Sequence, residues 1–294
     1  MLKLVVVGTI VAFAAAKQHP INPDIVNEVR AKTSLWIPHD VHTNPLANMD
    51  IAQIKGMLGT IIQGPVGLPG PAAVNGLPTA FDARDQWPDC IHPIRDQAQC
   101  GSCWAFAGSE ALSDRFCIAS KGSVNVVLSP EDMVACDSWN LGCNGGILPW
   151  AWSYLTKTGI VSDDCFPYTS DKGAVPSCAK SCVNGDPFKK YKCKAGSVIE
   201  ARGVDAIKNA IYSSGPVETG FTVYEDFMSY QSGVYKHVTG SQLGGHAVKI
   251  IGWGDGYWIC ANSWSTSWGE KGFFKIAFGD CGIDSAAYGC TPEL

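Results

Sequence analysis

A cysteine at the start of an apolar segment is the residue best suited to chemistry in this sequence. Cys103 lies in the stretch QAQCGSCWAF, residues 97–106. The chain is loop-like up to Ser102, and from Cys103 to Ser120 its apolar residues recur at helical spacing, which predicts a helix buried on one face. In the first turn of a helix, unpaired backbone N–H groups and the helix dipole favour a thiolate, which is the nucleophilic form of cysteine.

Two other interpretations of the Cys100–Cys103 pair remain open at this point. Both residues are consistent with ordinary disulfide cysteines, and a C-x-x-C pair also occurs in redox sites and in zinc sites. The redox interpretation requires a preceding strand in a βαβ unit, which the sequence does not indicate. The zinc interpretation requires a second close pair of ligands, and Cys178 with Cys182 has neither the spacing nor the surroundings of one.

A thiolate nucleophile needs a base, and His246 has the sequence context for one. It follows two glycines and runs directly into the strand-like segment 247–251. Glycines at such a position allow a second backbone or a substrate to approach closely. The other five histidines lie either in an upstream segment that we expect to be removed or at positions typical of surface histidines: His19, His39, His42, His92 and His237.

A glycine-rich connection after His246 leads back into a second strand-like segment that ends at Asn262. A hairpin of the two strands would bring Asn262 to His246, where its amide oxygen would fix the ring's tautomer and orientation. Trp264 and Trp268 would shield that hydrogen bond from water, although core packing explains them nearly as well. Gln97 has an amide N–H that would stabilise an oxyanion during acyl transfer.

Three blocks of this sequence resemble the signature blocks of papain-family cysteine peptidases: CGSCWAF at 100–106, GGHA at 244–247 and NSW at 262–264. Within that family the resemblance is closest to cathepsin B. It implies an α+β, two-domain fold with a helical left domain, a β-barrel-like right domain and the active-site cleft between them. It also implies hydrolysis of polypeptide substrates by a thiolate–imidazolium pair, with no cofactor and no metal.

The local patterns agree with a helical half followed by a β half. Ser129 is a candidate N-cap with Pro130 at the first helical position. The expected elements are a helix from Ile147 to Thr158 and strands at Glu218–Tyr224, His246–Ile251, Tyr257–Ala261 and Gly272–Phe278.

The resemblance also assigns residues to substrate binding. The substrate backbone is expected to lie across Gly145 and Gly146, where absent side chains permit close approach, and beside Gly101 and Trp264. Ala286 aligns with the acidic residue that lets cathepsin B accept arginine at its second subsite. A small apolar wall there predicts a preference for hydrophobic P2 residues, because burial of an unpaired arginine is costly.

Cathepsin B carries a long insertion with a His-His pair that caps one end of its cleft and directs release of C-terminal dipeptides. In this sequence Cys165 and Cys178 are close together, and no histidine occurs between Cys165 and Cys193. The occluding loop is therefore expected to be missing. This predicts an endopeptidase with little or no peptidyl-dipeptidase activity.

The chain is expected to divide into three parts. Residues 1–16 have a charged start, an apolar run and closing alanines, which predicts a secretory signal peptide. By resemblance, residues 17–76 form a short cathepsin B-type propeptide that blocks the cleft, and 77–294 form the mature peptidase domain. The Gly/Pro-rich run 64–76 predicts an exposed linker at which activation cleavage occurs.

Thirteen cysteines suit an oxidising compartment, and the odd number leaves at least one thiol unpaired within the chain. The resemblance implies the pairs Cys90–Cys117, Cys100–Cys143, Cys136–Cys178 and Cys165–Cys182, with Cys103 unpaired. Four cysteines remain unassigned: Cys193, Cys260, Cys281 and Cys290.

Composition sets the remaining expectations. Of 294 residues, 46% are hydrophobic and 17% charged, and the net charge is −5, which argues against a nucleic-acid partner. The N-terminal apolar run is too short for a membrane anchor. We expect the protein to be a monomer that is either located in a lysosome-like vesicle or secreted. Its expected inhibitors are its own propeptide and cystatin-type proteins. The rival classes are an inactive binding module and a thiol–disulfide oxidoreductase.

Overall fold

The computed structural model describes residues 19–294, so the expected signal peptide at 1–16 lies outside the described residues. The helices of the described chain are α1 (Pro23–Lys32), α2 (Ile51–Gly56), α3 (Ala83–Gln86), α4 (Cys103–Ala119), α5 (Pro130–Cys136), α6 (Leu148–Lys157) and α7 (Gly203–Ser214). Short 3-10 turns lie at Val41–Thr43, Gly142–Asn144, Glu225–Ser229 and Asp280–Gly282. None of these described helices is long and apolar enough to cross a membrane.

The strands are β1 (Trp36–Pro38), β2 (Phe81–Asp82), β3 (Ile199–Ala201), β4 (Val217–Tyr224), β5 (Tyr230–Tyr235), β6 (Gln242–Gly254), β7 (Tyr257–Ala261), β8 (Phe273–Ala277) and β9 (Ala287–Gly289). They form one sheet in the order β1-β5-β8-β7-β6-β4-β9-β3, with β2 paired to the far end of β6. All neighbours are antiparallel except β5 and β8. The expected hairpin is present, because β6 and β7 pair across a turn at Asp255–Gly256.

The β half differs from the expected barrel-like form. In the described chain β1 pairs only with β5 and β3 only with β9, so no ladder joins the ends and the sheet stays open. The N-terminal segment, defined here as residues 19–76, lies at both ends of this sheet. It supplies β1 itself, and its Pro69 carbonyl accepts a hydrogen bond from the Glu200 N–H on β3 at 2.9 Å.

The helical half is built around α4. The sequence predicted a helix buried on one face, but α4 is buried along nearly its whole length and on all sides. The reason is its position between α5 and α6 on one side and β6 on the other, so that even its polar and charged side chains are enclosed. Ser129 caps α5 by accepting from the Asp132 N–H, with Pro130 in the first turn, as predicted.

Buried charges join the two halves. The Lys249 ammonium on β6 lies 2.6 Å from the Asp114 carboxylate on α4, and both side chains are at most 1% exposed. Arg115 of α4 donates hydrogen bonds of 2.6–3.0 Å to the carbonyls of Gly215, Pro216 and Cys290. Breaking a buried pair leaves an uncompensated charge, so these contacts hold the halves in one arrangement.

Five disulfides are present in the described chain. Four are the pairs implied by the resemblance, namely Cys90–Cys117, Cys100–Cys143, Cys136–Cys178 and Cys165–Cys182. The fifth joins Cys193 to Cys290 and closes the largest loop, with a sequence separation of 97. Cys103, Cys260 and Cys281 are free.

Candidate active site

Cys103 is the first residue of α4, with Ser102 at the N-cap position. The Cys100–Cys143 bridge anchors the loop before the helix, and the Gly101 N–H donates to the Cys143 carbonyl at 2.9 Å. Cys100 is therefore not paired with Cys103. The thiol lies in the cleft between α4 and β6, fully buried under the N-terminal segment, and the Thr60 Oγ1 atom is 3.1 Å from its Sγ atom.

His246 lies on β6 and is oriented by the adjacent strand. Its Nε2 atom is 2.7 Å from the Asn262 Oδ1 atom, which also accepts from the Ser263 N–H. The Trp264 ring lies against the imidazole with centroids 4.5 Å apart, and Trp268 packs edge-on against Trp264. Among the described residues the other ring nitrogen, Nδ1, has no hydrogen-bond partner. It is thus the nitrogen available for proton exchange.

Gln97 is buried, and both ends of its amide are engaged. The Nε2 group donates to the Cys100 carbonyl at 2.8 Å and to the Met57 carbonyl at 2.9 Å. The Oε1 atom accepts from the Ser263 hydroxyl at 2.7 Å, which fixes the direction of the N–H groups. A carbonyl of the N-terminal segment therefore occupies the donor expected to stabilise an oxyanion.

The covered cleft favours the neutral forms of both reactive groups. Burial raises the pKa of the Cys103 thiol, although the Thr60 hydroxyl and the backbone N–H groups of Ala247, Gly59 and Trp104 act in the opposite direction. Burial lowers the pKa of His246 to about 4, against the smaller effect of its hydrogen bond to Asn262. A thiolate–imidazolium pair is disfavoured while the segment is in place.

The predicted glycine positions are where the N-terminal segment crosses the cleft. The Gly146 N–H donates to Gly59 O at 2.8 Å, and its carbonyl accepts from the Ile61 N–H at 2.9 Å. On the opposite wall the Thr60 N–H donates to Gly245 O at 3.0 Å. A Cβ atom on Gly145 would lie 2.5 Å from Gly59 O, so side chains here would exclude the passing backbone.

Ala286 lines a cavity of 430 Å³ beside this crossing point. The wall is mainly apolar and includes Leu148, Gly220 and Phe221, and Ile61 and Ile62 of the N-terminal segment lie against it. Branched apolar side chains of the N-terminal segment thus line the cavity that is predicted to be a second subsite.

Residues 166–177, where the resemblance led us to expect no occluding loop, fold back onto the nucleophile loop. The Gln99 N–H donates to Asp171 O at 3.0 Å. The Tyr168 hydroxyl donates to Gln97 O at 2.8 Å and lies 2.9 Å from the Ser102 Oγ atom. The segment supports the nucleophile loop in this position.

Three contributors to the site were not identified from the sequence: Thr60, Met57 and Ser263. Ser263 lies between Asn262 and Trp264 in the NSW block, so the sequence indicated its proximity to the site. The roles of Thr60 and Met57 depend on where the N-terminal segment crosses the cleft, which the sequence does not encode locally. His92 and His237 are also more enclosed than predicted, because they bind Asp114 and Asp226 respectively.

Residues 77–291 match the family described as papain family cysteine protease, and the chain belongs to that family. It is a cysteine protease similar to the cathepsin B-like cysteine proteinases 4 and 5 of Caenorhabditis elegans. The first is 39% identical, with 100% of both chains covered, and the second is 44% identical over 75% of this chain and 76% of the relative.

Solved proenzymes share the fold. A procathepsin B from Trypanosoma congolense superposes with a TM-score of 0.87 and 32% identity, covering 94% of this chain and 100% of that one. A procathepsin L2 from Tenebrio molitor larval midgut gives a TM-score of 0.72 at 28% identity, covering 91% and 87%. The similarity to the first includes the N-terminal segment, because 94% coverage cannot be reached without most of it.

Proposed function

We propose that this protein is the zymogen of a cysteine-type endopeptidase with Cys103 as nucleophile and His246 as its base. The observation that carries the proposal is the joint placement of the thiol at the start of α4 and the Asn262-oriented imidazole on β6. The backbone N–H of Ala247, the residue after His246, is hydrogen-bonded to the Cys103 sulfur. Residues 1–16 are the signal peptide, 17–76 the propeptide and 77–294 the mature enzyme.

The mechanism follows from the residues around the thiol. Once the propeptide leaves, water and the helix N-terminus favour the Cys103 thiolate, and His246 takes up its proton. The thiolate attacks the scissile carbonyl carbon, and the negative charge moves to the carbonyl oxygen. Gln97 Nε2, released from Met57, and the Cys103 backbone N–H stabilise that oxygen. The imidazolium then protonates the leaving amine, and water hydrolyses the thioester.

The propeptide inhibits by occupying the substrate path. Its backbone pairs with Gly146 and Gly245, its Thr60 hydroxyl contacts the Cys103 sulfur, and Met57 O binds the oxyanion donor. The same backbone positions of the enzyme would hold an extended substrate, with Gly101, Gly145 and Trp264 at the walls.

Specificity rests on two features. Ala286 and its apolar neighbours favour a hydrophobic P2 residue over arginine. The short segment 166–177, which carries no histidine, supports endopeptidase action with little release of C-terminal dipeptides. Comparable rates on endopeptidase and C-terminal dipeptide substrates would contradict this part.

The setting is the secretory pathway, ending in a lysosome-like vesicle or outside the cell. The disulfides and the N-terminal sequence support this assignment. Polypeptide substrates, the propeptide and cystatin-type inhibitors are the proposed partners of a monomeric enzyme.

Mass spectrometry of acid-matured protein after reaction with an epoxysuccinyl peptide inhibitor tests the proposal. One adduct on Cys103, an intact Cys100–Cys143 bridge and abolished peptide hydrolysis are the expected results. No adduct on correctly processed protein would indicate an inactive binding module. Labelling shared between Cys100 and Cys103 would indicate a thiol–disulfide oxidoreductase.

A further inference from the structure

The linker of the propeptide has a periodic sequence. Residues 64–72 read GPVGLPGPA, with glycine at every third position and proline in each of the three triplets. The side chains of this stretch are mostly exposed, as the sequence predicted. Its backbone, however, is bound to the mature domain away from the reactive cysteine.

The bound backbone converges on one buried carboxylate. Glu200 on β3 accepts hydrogen bonds from three consecutive N–H groups, those of Val66 at 2.9 Å, Gly67 at 2.8 Å and Leu68 at 3.2 Å. Consecutive N–H groups that point at one anion form a strong recognition geometry, and here the anion belongs to the enzyme. The Glu200 N–H in turn donates to Pro69 O.

The carboxylate is held in place by the mature domain itself. The Tyr288 hydroxyl lies 3.1 Å from the Glu200 Oε1 atom, and the Arg202 guanidinium lies 3.3 Å from its Oε2 atom. The Glu200 side chain is fully covered. These partners do not depend on the linker, so the acceptor remains oriented after the linker is removed.

An apolar groove continues from the carboxylate. Leu68 packs with Val198 against the core of the helical half. Beside the bound linker an open cavity of 370 Å³ lies between Leu68 and Pro69 on one side and Pro149 and Gly196 on the other, so the groove is wider than the linker that lies in it. Farther along, the Val74 N–H donates to the Asn209 side-chain oxygen at 3.0 Å on α7. The linker is thus bound at residues 66–69 and again at Val74, separate from the Cys103–His246 pair.

We propose that this groove, with Glu200 at its centre, is a substrate-binding exosite of the mature enzyme for single polypeptide chains with Gly-X-Y repeats. The inference rests on the proposed function, because the Glu200 carboxylate and the surface under Leu68 become accessible only after the propeptide is cleaved and released. A chain of the linker's own type then presents the same N–H groups to Glu200 and the same leucine or proline side chains to the groove.

The geometry selects unwound chains. Gly67 has φ of +79°, whereas the chains of a collagen triple helix keep φ near about −75° and bury every third residue at a shared axis. A triple helix cannot present three consecutive N–H groups to one carboxylate, because its backbone is directed toward neighbouring chains. Denatured collagen-like polypeptides fit the groove and intact ones do not.

The test uses mature enzyme whose Cys103 is blocked by an epoxysuccinyl inhibitor, so that binding is measured without cleavage. A fluorescent peptide of residues 64–72 is titrated and its anisotropy recorded. Saturable binding is expected to weaken at least about tenfold in Glu200→Gln, because a charged acceptor of three N–H groups is lost. A smaller loss is expected when N-methylglycine replaces Gly67 in the peptide, because this removes one of the three N–H groups without touching the enzyme.

Activity on two substrates separates this inference from the proposed function. In unblocked enzyme, Glu200→Gln should lower kcat/KM for gelatin several-fold and leave the hydrolysis of a short dipeptidyl reporter unchanged, which also shows correct folding. Equal binding of the peptide by wild type and Glu200→Gln, or equally tight binding of a triple-helical peptide, would overturn the exosite. Loss of reporter hydrolysis by wild-type mature protein would instead overturn the proposed function.

Discussion

Gly59 is the position at which a single added methyl group should release the proposed propeptide from the cleft. A Cβ atom at this residue would overlap the carbonyl of Gly101, well inside the 3.0 Å that real Cβ atoms keep from other heavy atoms. The atoms in the way are backbone of the nucleophile loop, which the Cys100–Cys143 bridge anchors. The segment must therefore shift when Gly59→Ala is made.

The cost follows from the contacts that the shift breaks. Four hydrogen bonds hold this part of the segment: Gly146 N–H to Gly59 O, Ile61 N–H to Gly146 O, Thr60 N–H to Gly245 O and Gln97 Nε2 to Met57 O. At about 0.5–1.5 kcal/mol net for each, their loss removes about 2–6 kcal/mol of binding free energy. Since about 1.4 kcal/mol is tenfold in affinity, inhibition should weaken at least about 30-fold.

The assay is inhibition of the mature enzyme by added propeptide, read as Ki on a short fluorogenic substrate. Gly56→Ala is the matched control, because a Cβ atom at Gly56, the last residue of α2, meets nothing within 4 Å. Its Ki should stay within about threefold of wild type. A Gly59→Ala propeptide that inhibits as tightly as the control would refute the backbone-pairing account.

Three further predictions concern the charge states and the oxyanion donor. Burial raises the pKa of Cys103 and lowers that of His246 to about 4, so the Cys103 thiol of the proenzyme should react with iodoacetamide at pH 6 much more slowly than that of the mature enzyme. Its reaction rate should increase only toward alkaline pH. Equal rates of the two forms at pH 6 would contradict this prediction. Glu200 has a lowered pKa, since the N–H groups of Val66 and Gly67, the Tyr288 hydroxyl and Arg202 together outweigh desolvation. The contribution of Glu200 to linker binding is thus fully present above the ordinary carboxyl pKa and is lost as the pH falls through the lowered pKa of Glu200. Cleavage of the linker by an added protease should therefore accelerate on acidification in wild type. The Glu200→Gln variant should lose most of that pH dependence. Gln97→Ala should lower kcat of the mature enzyme by about 10²–10³ with a smaller change in KM, and an unchanged kcat would exclude its oxyanion role.

A further prediction concerns the wall of the second subsite. The measurement is the ratio of kcat/KM for substrates with arginine at P2 to kcat/KM for substrates with phenylalanine at P2. Ala286→Glu places a carboxylate in the 430 Å³ cavity and should raise the arginine-to-phenylalanine ratio at least about tenfold. An unchanged ratio would show that Ala286 does not contact the P2 side chain.

Local patterns were sufficient for the elements that carry the reactive groups. The spacing after Cys103 and the run Tyr257–Ala261 predicted α4 and β7 within a residue or two, and the N-cap at Ser129 predicted the start of α5. Each of these signals depends on neighbours in sequence. The hairpin of β6 and β7 likewise predicted the contact between His246 and Asn262.

Features that depend on distant segments were not accessible in this way. α4 is buried on all sides because the helices α5 and α6 and the strand β6, which are distant in sequence, pack against it in the fold. The sheet is open because strand pairing ends at β1 and at β3. The Cys193–Cys290 bridge joins residues 97 positions apart, and no local pattern specifies such a pair. The acceptor role of Glu200 depends in the same way on the path of the linker.

The placement of the N-terminal segment at both ends of the open sheet bears on how the chain folds. An uncovered sheet edge presents unpaired N–H and C=O groups, which readily pair with another chain and lead to aggregation. Here β1 covers β5, with Trp36 packed against Tyr235, and the linker covers β3. Both edges are therefore protected while residues 19–76 are in place, and the proposed activation cleavage would uncover them. If that cleavage occurs, the peptidase domain lacks the strand that covered β5, and we expect its denaturation to be effectively irreversible.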